Sequence, residues 1–416
     1  MAAMMMRPLQ LLLLLLGLAA AADEDYTEVA LKRMAFTSCV KAWRPGQADL
    51  WPQVENFDPQ LWLWTGDAVY ANGTALSYLA PAFEEQLRVP AYERFLAYAA
   101  ERGVKVDGVW DDHDLGVNDG GAETPDIPAR QELFLDFLGV SADSPRRARR
   151  GLYRSLAFGS GERRAKVIML DVRSHRGHYV IPSVGAWFHW FPTIGKFMPV
   201  LAAGCRYLSQ LRIPGLDLAL VDFQSEAVSV LGEEQWAWLE AELRDSDARV
   251  HVIVSSTQVL TSNPVFEGWK HFPRERRRLL DLLERLEVPG VVLISGDVHH
   301  GEIARYPYAA DAAAAGAGAR VTAVEITASG STHSLGTSKK TKKLYPPILA
   351  SYDEHRVQPE SFYTGLNFGT LEIQWPDGPG EPEVLLAVRG VHSGSPAVSA
   401  QIRAAAEGGG SEIISA

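Results

Sequence analysis

Short apolar runs recur along the chain, and six of them stop at polar, ionisable or turn-forming residues. Met34–Phe36 leads to Cys39, Leu61–Trp64 to Gly66 and Asp67, and Val104–Trp110 to Asp111-Asp112-His113-Asp114. Val167–Leu170 leads to Asp171 and Arg173, Val250–Val254 to Ser255 through Gln258, and Val291–Ile294 to Gly296, Asp297, His299 and His300. Continuous apolar runs of this length predict strands covered on both faces, and open α/β sheets gather ligands at the carboxyl ends of such strands. Between them, Pro81–Arg102, Gly232–Leu243 and Arg274–Leu286 place apolar residues at helical spacing. Strands alternating with helices predict an α/β fold. A later group, Arg320–Ala328, Tyr363–Trp375 and Glu383–Arg389, reads as strands of a mixed or antiparallel half.

The remaining segments are irregular. Near 180–221, Trp187, Phe188, Trp190, Phe191 and Phe197 form an aromatic insertion, read as packed on the core, with a lid or membrane-touching surface as the alternative. Ala309–Ala319 and Thr337–Lys343 read as surface loops, and 391–416 as a flexible C-terminal tail. Arg7, the block Leu9–Leu18 and the small residues Ala19–Ala22 have the layout of a secretory signal peptide over 1–22, in preference to an uncleaved anchor. The chain is expected in the secretory pathway, secreted or in an endomembrane lumen. A main domain is expected over 30–390.

The 416 residues are 47% hydrophobic and 22% charged, as in an ordinary globular protein, and the net charge of −11 argues against a nucleic-acid-binding surface. An anionic substrate stays compatible with that charge, because a bound cation inverts the local field. No Gly-x-Ser-x-Gly elbow occurs, which argues against a serine hydrolase. Of the two cysteines, Cys39 stands at a strand end with other candidate ligands and is read as a metal ligand in preference to a disulfide with Cys205.

The strand-end residues suit a metal centre. Gly66 permits a sharp turn that aims Asp67 at the rim, where its two oxygens can bridge two cations, and Tyr70 is three residues on. Asp111, Asp112, His113 and Asp114 point to different sides, which fits two adjacent ions or one ion beside a catalytic His113. Asn118 adds a neutral oxygen for a hard cation. Asp297 and His299 face one side of an extended segment, while His300 points away. Arg173 can fork onto phosphate oxygens or pair with Asp171, two readings of equal weight. His175 and His178 are expected in solvent.

Taken in order, Phe-Thr-Ser-Cys39, Gly-Asp67-Ala-Val-Tyr70, Trp-Asp111-Asp112-His113-Asp114 with Asn118, Leu-Asp171-Val-Arg173 and Ser-Gly-Asp297-Val-His299 resemble the PhoD-like alkaline phosphatase and phosphodiesterase family of the metallophosphatases. The resemblance spans roughly Ala35 to Gln374. It implies a four-layer sandwich, two mixed sheets flanked by helices, with metals at the strand carboxyl ends. It implies iron(III) on Cys39, Asp67 and Tyr70 with Asp297 or His299 nearby, and calcium on Asp67, Asp111 and Asn118. Other divalent metals suit the same donors. Ala71 and Asp114 stand where the family often has Glu, and the separate N-terminal β-domain of bacterial members is missing. The expected activity is hydrolysis of a small phosphate ester by metal-bound hydroxide, with His113 and Arg173 as catalytic groups and Asp112 among the ligands. The alternatives are a phospholipase-like enzyme and a non-catalytic secreted metal-binding protein.

Overall fold

The computed structural model describes residues 26–181, 198–209, 228–308, 320–337, 342–343, 345–351, 354–405 and 408–416. The signal segment 1–22, most of the aromatic insertion, the loop Ala309–Ala319 and most of the basic loop lie outside the described residues.

Among the described residues, fifteen strands follow in chain order: β1 (Tyr26–Thr27), β2 (Arg33–Thr37), β3 (Leu61–Thr65), β4 (Lys105–Val109), β5 (Arg154–Phe158), β6 (Ala165–Met169), β7 (Val250–Val254), β8 (Val291–Ser295), β9 (Gly301–Pro307), β10 (Arg320–Ala328), β11 (Phe362–Tyr363), β12 (Asn367–Gln374), β13 (Glu383–Gly390), β14 (Pro396–Ala404) and β15 (Ser411–Ser415). They form one mixed sheet in the order β1-β5-β6-β7-β8-β10-β15-β14-β13-β12-β2-β3-β4, with β9 and β11 paired beside β10. β6, β7, β8 and β10 run parallel, as do β2, β3 and β4, and the late strands join the two groups antiparallel. The sheet curls, because residues of both groups share one core: Phe36 and Leu63 with Val252, Ile294, Val324, Leu371 and Val388. A parallel bridge between Ser38 and Ser329 ties the groups at their carboxyl ends.

Alternation within each strand explains the two further cores. In β3, Leu61 and Leu63 enter the shared core, while Trp62 and Trp64 face outward onto helices. Those helices are α1 (Gly46–Phe57), α2 (Leu76–Leu87), α3 (Pro90–Arg102), the single turn α4 (Asp112–Leu115) and α5 (Ile127–Phe137). Trp51 packs edge-on against Trp62 at 5.0 Å and stacks on Phe95 at 4.7 Å. In β8, Val292 and Ile294 turn to the shared core, and Val291 and Leu293 turn to the outer helices. After α6 (Met198–Ser209), those are α7 (Glu233–Arg244) and α8 (Pro273–Arg285), and α9 (Tyr345–Ala350) follows. Among the described residues, no helix is long and apolar enough to cross a membrane.

Two expectations need correction. The pattern over Pro81–Arg102 is two helices, because Val89 precedes Pro90 and is extended at ψ 118°, as the proline ring demands. The supposed tail 391–416 contributes β14 and β15: Gly408, Gly409 and Gly410 adopt left-handed φ of 71°, 69° and 78°, which returns the chain and inserts Ile413 into the shared core.

Candidate metal centre

The residues the sequence singled out leave strand ends through backbone turns. After β2 comes Cys39, after β3 Gly66 and Asp67, after β4 Asp111 and α4, and after β8 Asp297 and His299. Among the described residues, eight non-glycine residues hold positive φ, and five are here: Cys39 (60°), Asp67 (52°), Asp119 (52°), Asp297 (70°) and His299 (57°). Left-handed backbone is costly for such residues and gathers where function requires it. Gly66 is required twice over, since its φ is +91° and a Cβ there would stand 2.4 Å from Asp111 Cβ. Asp111 caps α4 in a reciprocal box with Asp114, whose Oδ2 accepts from Asp111 N at 2.9 Å and Oδ1 from Val69 N at 3.2 Å. Asp114 is therefore a brace between the β3 and β4 loops.

Asp67 lies at the middle. Its Oδ2 accepts from the Tyr70 hydroxyl at 2.7 Å and from Cys39 Sγ at 3.4 Å, and its Oδ1 from His113 N at 3.3 Å. Cys39 is buried and Cys205 of α6 is exposed, and neither is in a disulfide, so the disulfide alternative is overturned. Among the described residues, three acidic groups bring their donor atoms within 4.8 Å of one another: Asp67, Asp111, Asp112 and Asp297; Asp67, Asp112 and His113; and Asp112, Asp119 and Glu267. Asp112 belongs to all three. Asp67, Asp112, His113, Asn118, Asp297 and His299 line a common pocket of about 200 Å³. Asp119 and Glu267 line it too; no sequence signal beyond an acidic residue in a loop pointed to either.

Arg173 differs from both of its expected roles. It is fully buried, its Nε donates to Asp111 Oδ1 at 2.5 Å, and its two Nη atoms grip Glu267 at 3.2 and 2.7 Å. The guanidinium thus holds two buried carboxylates together, of which Glu267 lines the pocket while Arg173 itself does not. Asp171 is no partner of that side chain. It anchors the turn through the N–H groups of Leu152, Arg173 and Ser174. His178 is exposed as expected, whereas His175 is half-buried against Gly232. His300 is buried with Nδ1 on Val298 O at 3.0 Å, outside the pocket.

Two further residues surround the Tyr70 side. The Tyr70 ring lies 4.1 Å from His113 and 5.2 Å from His333, with Lys41 Nζ 4.4 Å from its centroid. His333 also faces His299 at 4.6 Å. Neither Lys41 nor His333 belongs to a strand-end motif, so only the folded chain brings them in.

The electrostatics call for a cation. Burial, and then the neighbouring Cys39, Asp112 and Asp111, hold the Asp67 carboxyl well above its usual range. Burial together with Glu267 and Asp111 does the same to Asp297, and burial lifts Asp111 to about 6 although Arg173 opposes it. Against burial, Arg173 and Arg176 pull Glu267 down to about 2. Asp111 Oδ2, Asp112 Oδ1 and His299 Nδ1 are buried with no hydrogen-bond partner among the described residues. Crowded carboxylates with orphaned oxygens, beside thiol, phenol and imidazole, fit hard and borderline metal ions.

Across residues 108–377, well over half of its length, the chain matches the PhoD-like phosphatase family. It belongs to that family. The solved structure of PhoD is similar to this PhoD-like chain, with a TM-score of 0.56 at 17% identity, covering 94% of this chain and 72% of that one. Purple acid phosphatase PPD1 from yellow lupin (Lupinus luteus) seeds is similar with a TM-score of 0.50 at 13% identity, covering 89% of this chain and 53% of that one. At such identities these two likenesses concern the fold alone, a mixed α/β fold with a large curled sheet. No curated protein sequence matches the chain. Family membership supports a phosphoester hydrolase.

Behind the pocket, Lys270 is buried in the turn Trp269–His271, and its amine has no hydrogen-bond partner among the described residues. Burial, and then Arg206 and Arg276, lower its pKa from 10.5 to about 7. The unfolded chain therefore binds a proton that the folded chain has lost between pH 7 and 10.5, and stability rises with pH across that window. Lys270→Met should stabilise the protein at pH 6 by a few kcal/mol, roughly 3–5. The gain should shrink towards zero near pH 10. Denaturant midpoints of both proteins at pH 6, 8 and 10 check this, and a gap that does not narrow refutes it.

Proposed function

We propose that the chain is a metal-dependent phosphoric ester hydrolase whose centre comprises Cys39, Asp67, Tyr70, Asp111, Asp112, Asn118, Asp297 and His299. The observation that carries this reading is the convergence of Asp67, Asp111, Asp112 and Asp297 within 4.8 Å, with buried carboxylate oxygens of Asp111 and Asp112 that have no hydrogen-bond partner among the described residues. Donor chemistry supports iron(III) on the Cys39, Tyr70 and Asp67 side, where thiol and phenol meet one carboxylate. It supports calcium or another divalent ion on the side of Asp112 and Asn118, where the donors are oxygens. When bound, such ions neutralise phosphoryl oxygens and lower the pKa of a water that attacks phosphorus.

The side chains would do the rest. Asp67 offers one oxygen to each side of the centre. Burial lowers the pKa of His113, so its ring is neutral at pH 7 and can donate one N–H to a phosphoryl or leaving-group oxygen. Asp111 is oriented by Arg173 and by Ser256 Oγ at 2.5 Å. The three cores, one between the curled halves and one under each helical layer, support the four-layer reading. The Leu9–Leu18 block supports entry into the secretory pathway.

His113→Ala should keep its metal content while kcat falls about 10²- to 10³-fold, the usual size for loss of one positioned donor. Elemental analysis of the purified protein with turnover of a chromogenic phosphate monoester and diester tests both the variant and the reading itself. Stoichiometric metal with no turnover of either ester would return the chain to a binding role.

A second reading has one observation in its favour. α6 presents Leu201 and Leu208 to solvent, 57% and 54% exposed, while Ala203 and Arg206 on its other side line the pocket. An amphiphilic phosphoester at a lipid surface would suit that arrangement. Equal rates on soluble and vesicle-borne esters, with no change in Leu201→Gln, would dismiss it.

A further inference from the structure

The hydrolase reading leaves one pair of charges beside the centre unused. Two arginines near the pocket are committed elsewhere: Arg173 to Asp111 and Glu267, and Arg176 to the carbonyls of Asp119 and Gly177. Lys41 and Arg44 are not. Neither the ammonium of Lys41 nor the guanidinium of Arg44 has a hydrogen bond or ion pair among the described residues. Arg44 is exposed, and Lys41 is half-buried with its Nζ reaching solvent. Other surface arginines, such as Arg33, Arg88, Arg164 and Arg403, do carry ion pairs. In a chain of net charge −11, two adjacent cations without a carboxylate need a reason.

The backbone that carries them is fixed against the centre. Arg44 N donates to Lys41 O at 3.0 Å, which closes a turn just after Cys39. Lys41 N donates to Thr332 Oγ1 at 2.9 Å, and that hydroxyl donates to Cys39 O at 3.2 Å. The Lys41 side chain then crosses Tyr70, with Nζ 4.4 Å from the ring centroid. The Tyr70 hydroxyl is 2.7 Å from Asp67 Oδ2, so a single phenol ring separates the ammonium from Asp67. The charge of Lys41 also reaches the rings of His113 and His299, which line the pocket, and together with Arg44 it reaches His333. Burial lowers the pKa of Lys41; Cys39 opposes that fall and Arg44 adds to it. Two like charges held side by side are relieved by an anion between them.

We propose that Lys41 and Arg44 form a second anion subsite beside the metal centre, which selects phosphate esters whose organic group carries a further anionic group. This rests on the hydrolase reading above. The reacting phosphoryl group would lie at the acidic centre, and the remote anion would lie across the width of Tyr70, on the ammonium and the guanidinium. The pocket wall offers no such place, because Asp67, Asp112, Asp119, Glu267 and Asp297 all line it and repel a second anion.

The test uses the full-length, metal-replete protein as wild type, Lys41→Gln, Arg44→Gln and the double variant. Arg163→Gln is the control: it removes an exposed charge just before β6, at the opposite end of the strands from the centre. Each protein is assayed for kcat/KM on phenyl phosphate and on carboxyphenyl phosphate, which differ by one remote carboxylate, and for metal content. Wild type should prefer the carboxylate ester by about fivefold at low ionic strength, and the preference should fade in high salt. Each single variant should lose part of the preference and the double variant all of it, while Arg163→Gln keeps it. Lost metal or a displaced Tyr70 lowers both esters together and leaves their ratio unchanged, so the ratio reads the subsite alone. A wild type with no preference overturns the proposal, as does a preference that survives in the double variant or disappears in Arg163→Gln. Should the double variant not fold, Arg44→Gln decides, since its side chain is exposed: a wild-type ratio there overturns the proposal equally. A wild-type protein that hydrolyses neither ester would instead remove the hydrolase reading, and the two failures are distinct.

Discussion

Asp67→Asn is expected to lose metal and hydrolysis together, with turnover down by about 10³-fold or more, since one of the two oxygens that would hold the ions and the negative charge vanish in one step. The amide keeps the shape of the side chain, so the fold should persist. It should even gain: wild-type Asp67 is buried against Cys39, Asp112 and Asp111, which hold its carboxyl well above the normal range, and a neutral amide removes that crowding. The metal-free variant should therefore melt no lower than the metal-free wild type. On adding metal, the wild type should gain melting temperature by mass action while the variant stays flat. Two scans with and without chelator, alongside elemental analysis, read both effects. Normal turnover in the variant would mean that the three acidic groups are surface chemistry without a shared ion.

Arg173→Met is the second large effect, and it separates two roles for one residue. As described, the guanidinium balances Asp111 and Glu267 inside the protein. Removing it leaves two buried carboxylates without their partner, which typically costs about 3–5 kcal/mol. Melting should fall by roughly 5–10 °C. Arg173→Lys should recover only part of that, because one ammonium cannot take the Nε contact to Asp111 and the forked contact to Glu267 together. Thermal melts of the chelator-treated proteins make the comparison free of metal. If Arg173→Met melts like wild type but hydrolyses a thousandfold more slowly, the arginine faces substrate after all.

Much of this centre was legible in the sequence because its ligands follow strands buried on both faces. In β3 and β8 every residue needs cover, so the first polar residue after each run has to sit at the rim. Asp67, Asp111 and Asp297 could be found that way. Asp119 and Glu267 could not, since each sits in a loop whose course depends on distant packing, and an acidic loop residue is ordinary anywhere on a surface. The partner of Arg173 was illegible for a related reason. Asp171 is two residues away and looks available, but four local hydrogen bonds, from three N–H groups and the Ser174 hydroxyl, already claim it, leaving the guanidinium to find Asp111 and Glu267. The C-terminal strands were missed because a glycine run near the end of a chain resembles a tail. Here it is the turn that puts Ile413 inside. The placement of Lys41 and His333 around Tyr70 is tertiary throughout.

The Ser38–Ser329 bridge has a consequence for the life history of the molecule. Residues nearly three hundred positions apart become neighbours there, and the same seam carries the thiol at 39 and the imidazole at 299. Contacts of such long range form late, after the separate halves have closed on each other. A nascent or half-folded chain therefore has no pocket to load, and the proposed ion would be bound only by a finished fold. Bound there, it would clasp early and late portions of the polypeptide together, so that stripping it should loosen the whole seam and not one loop.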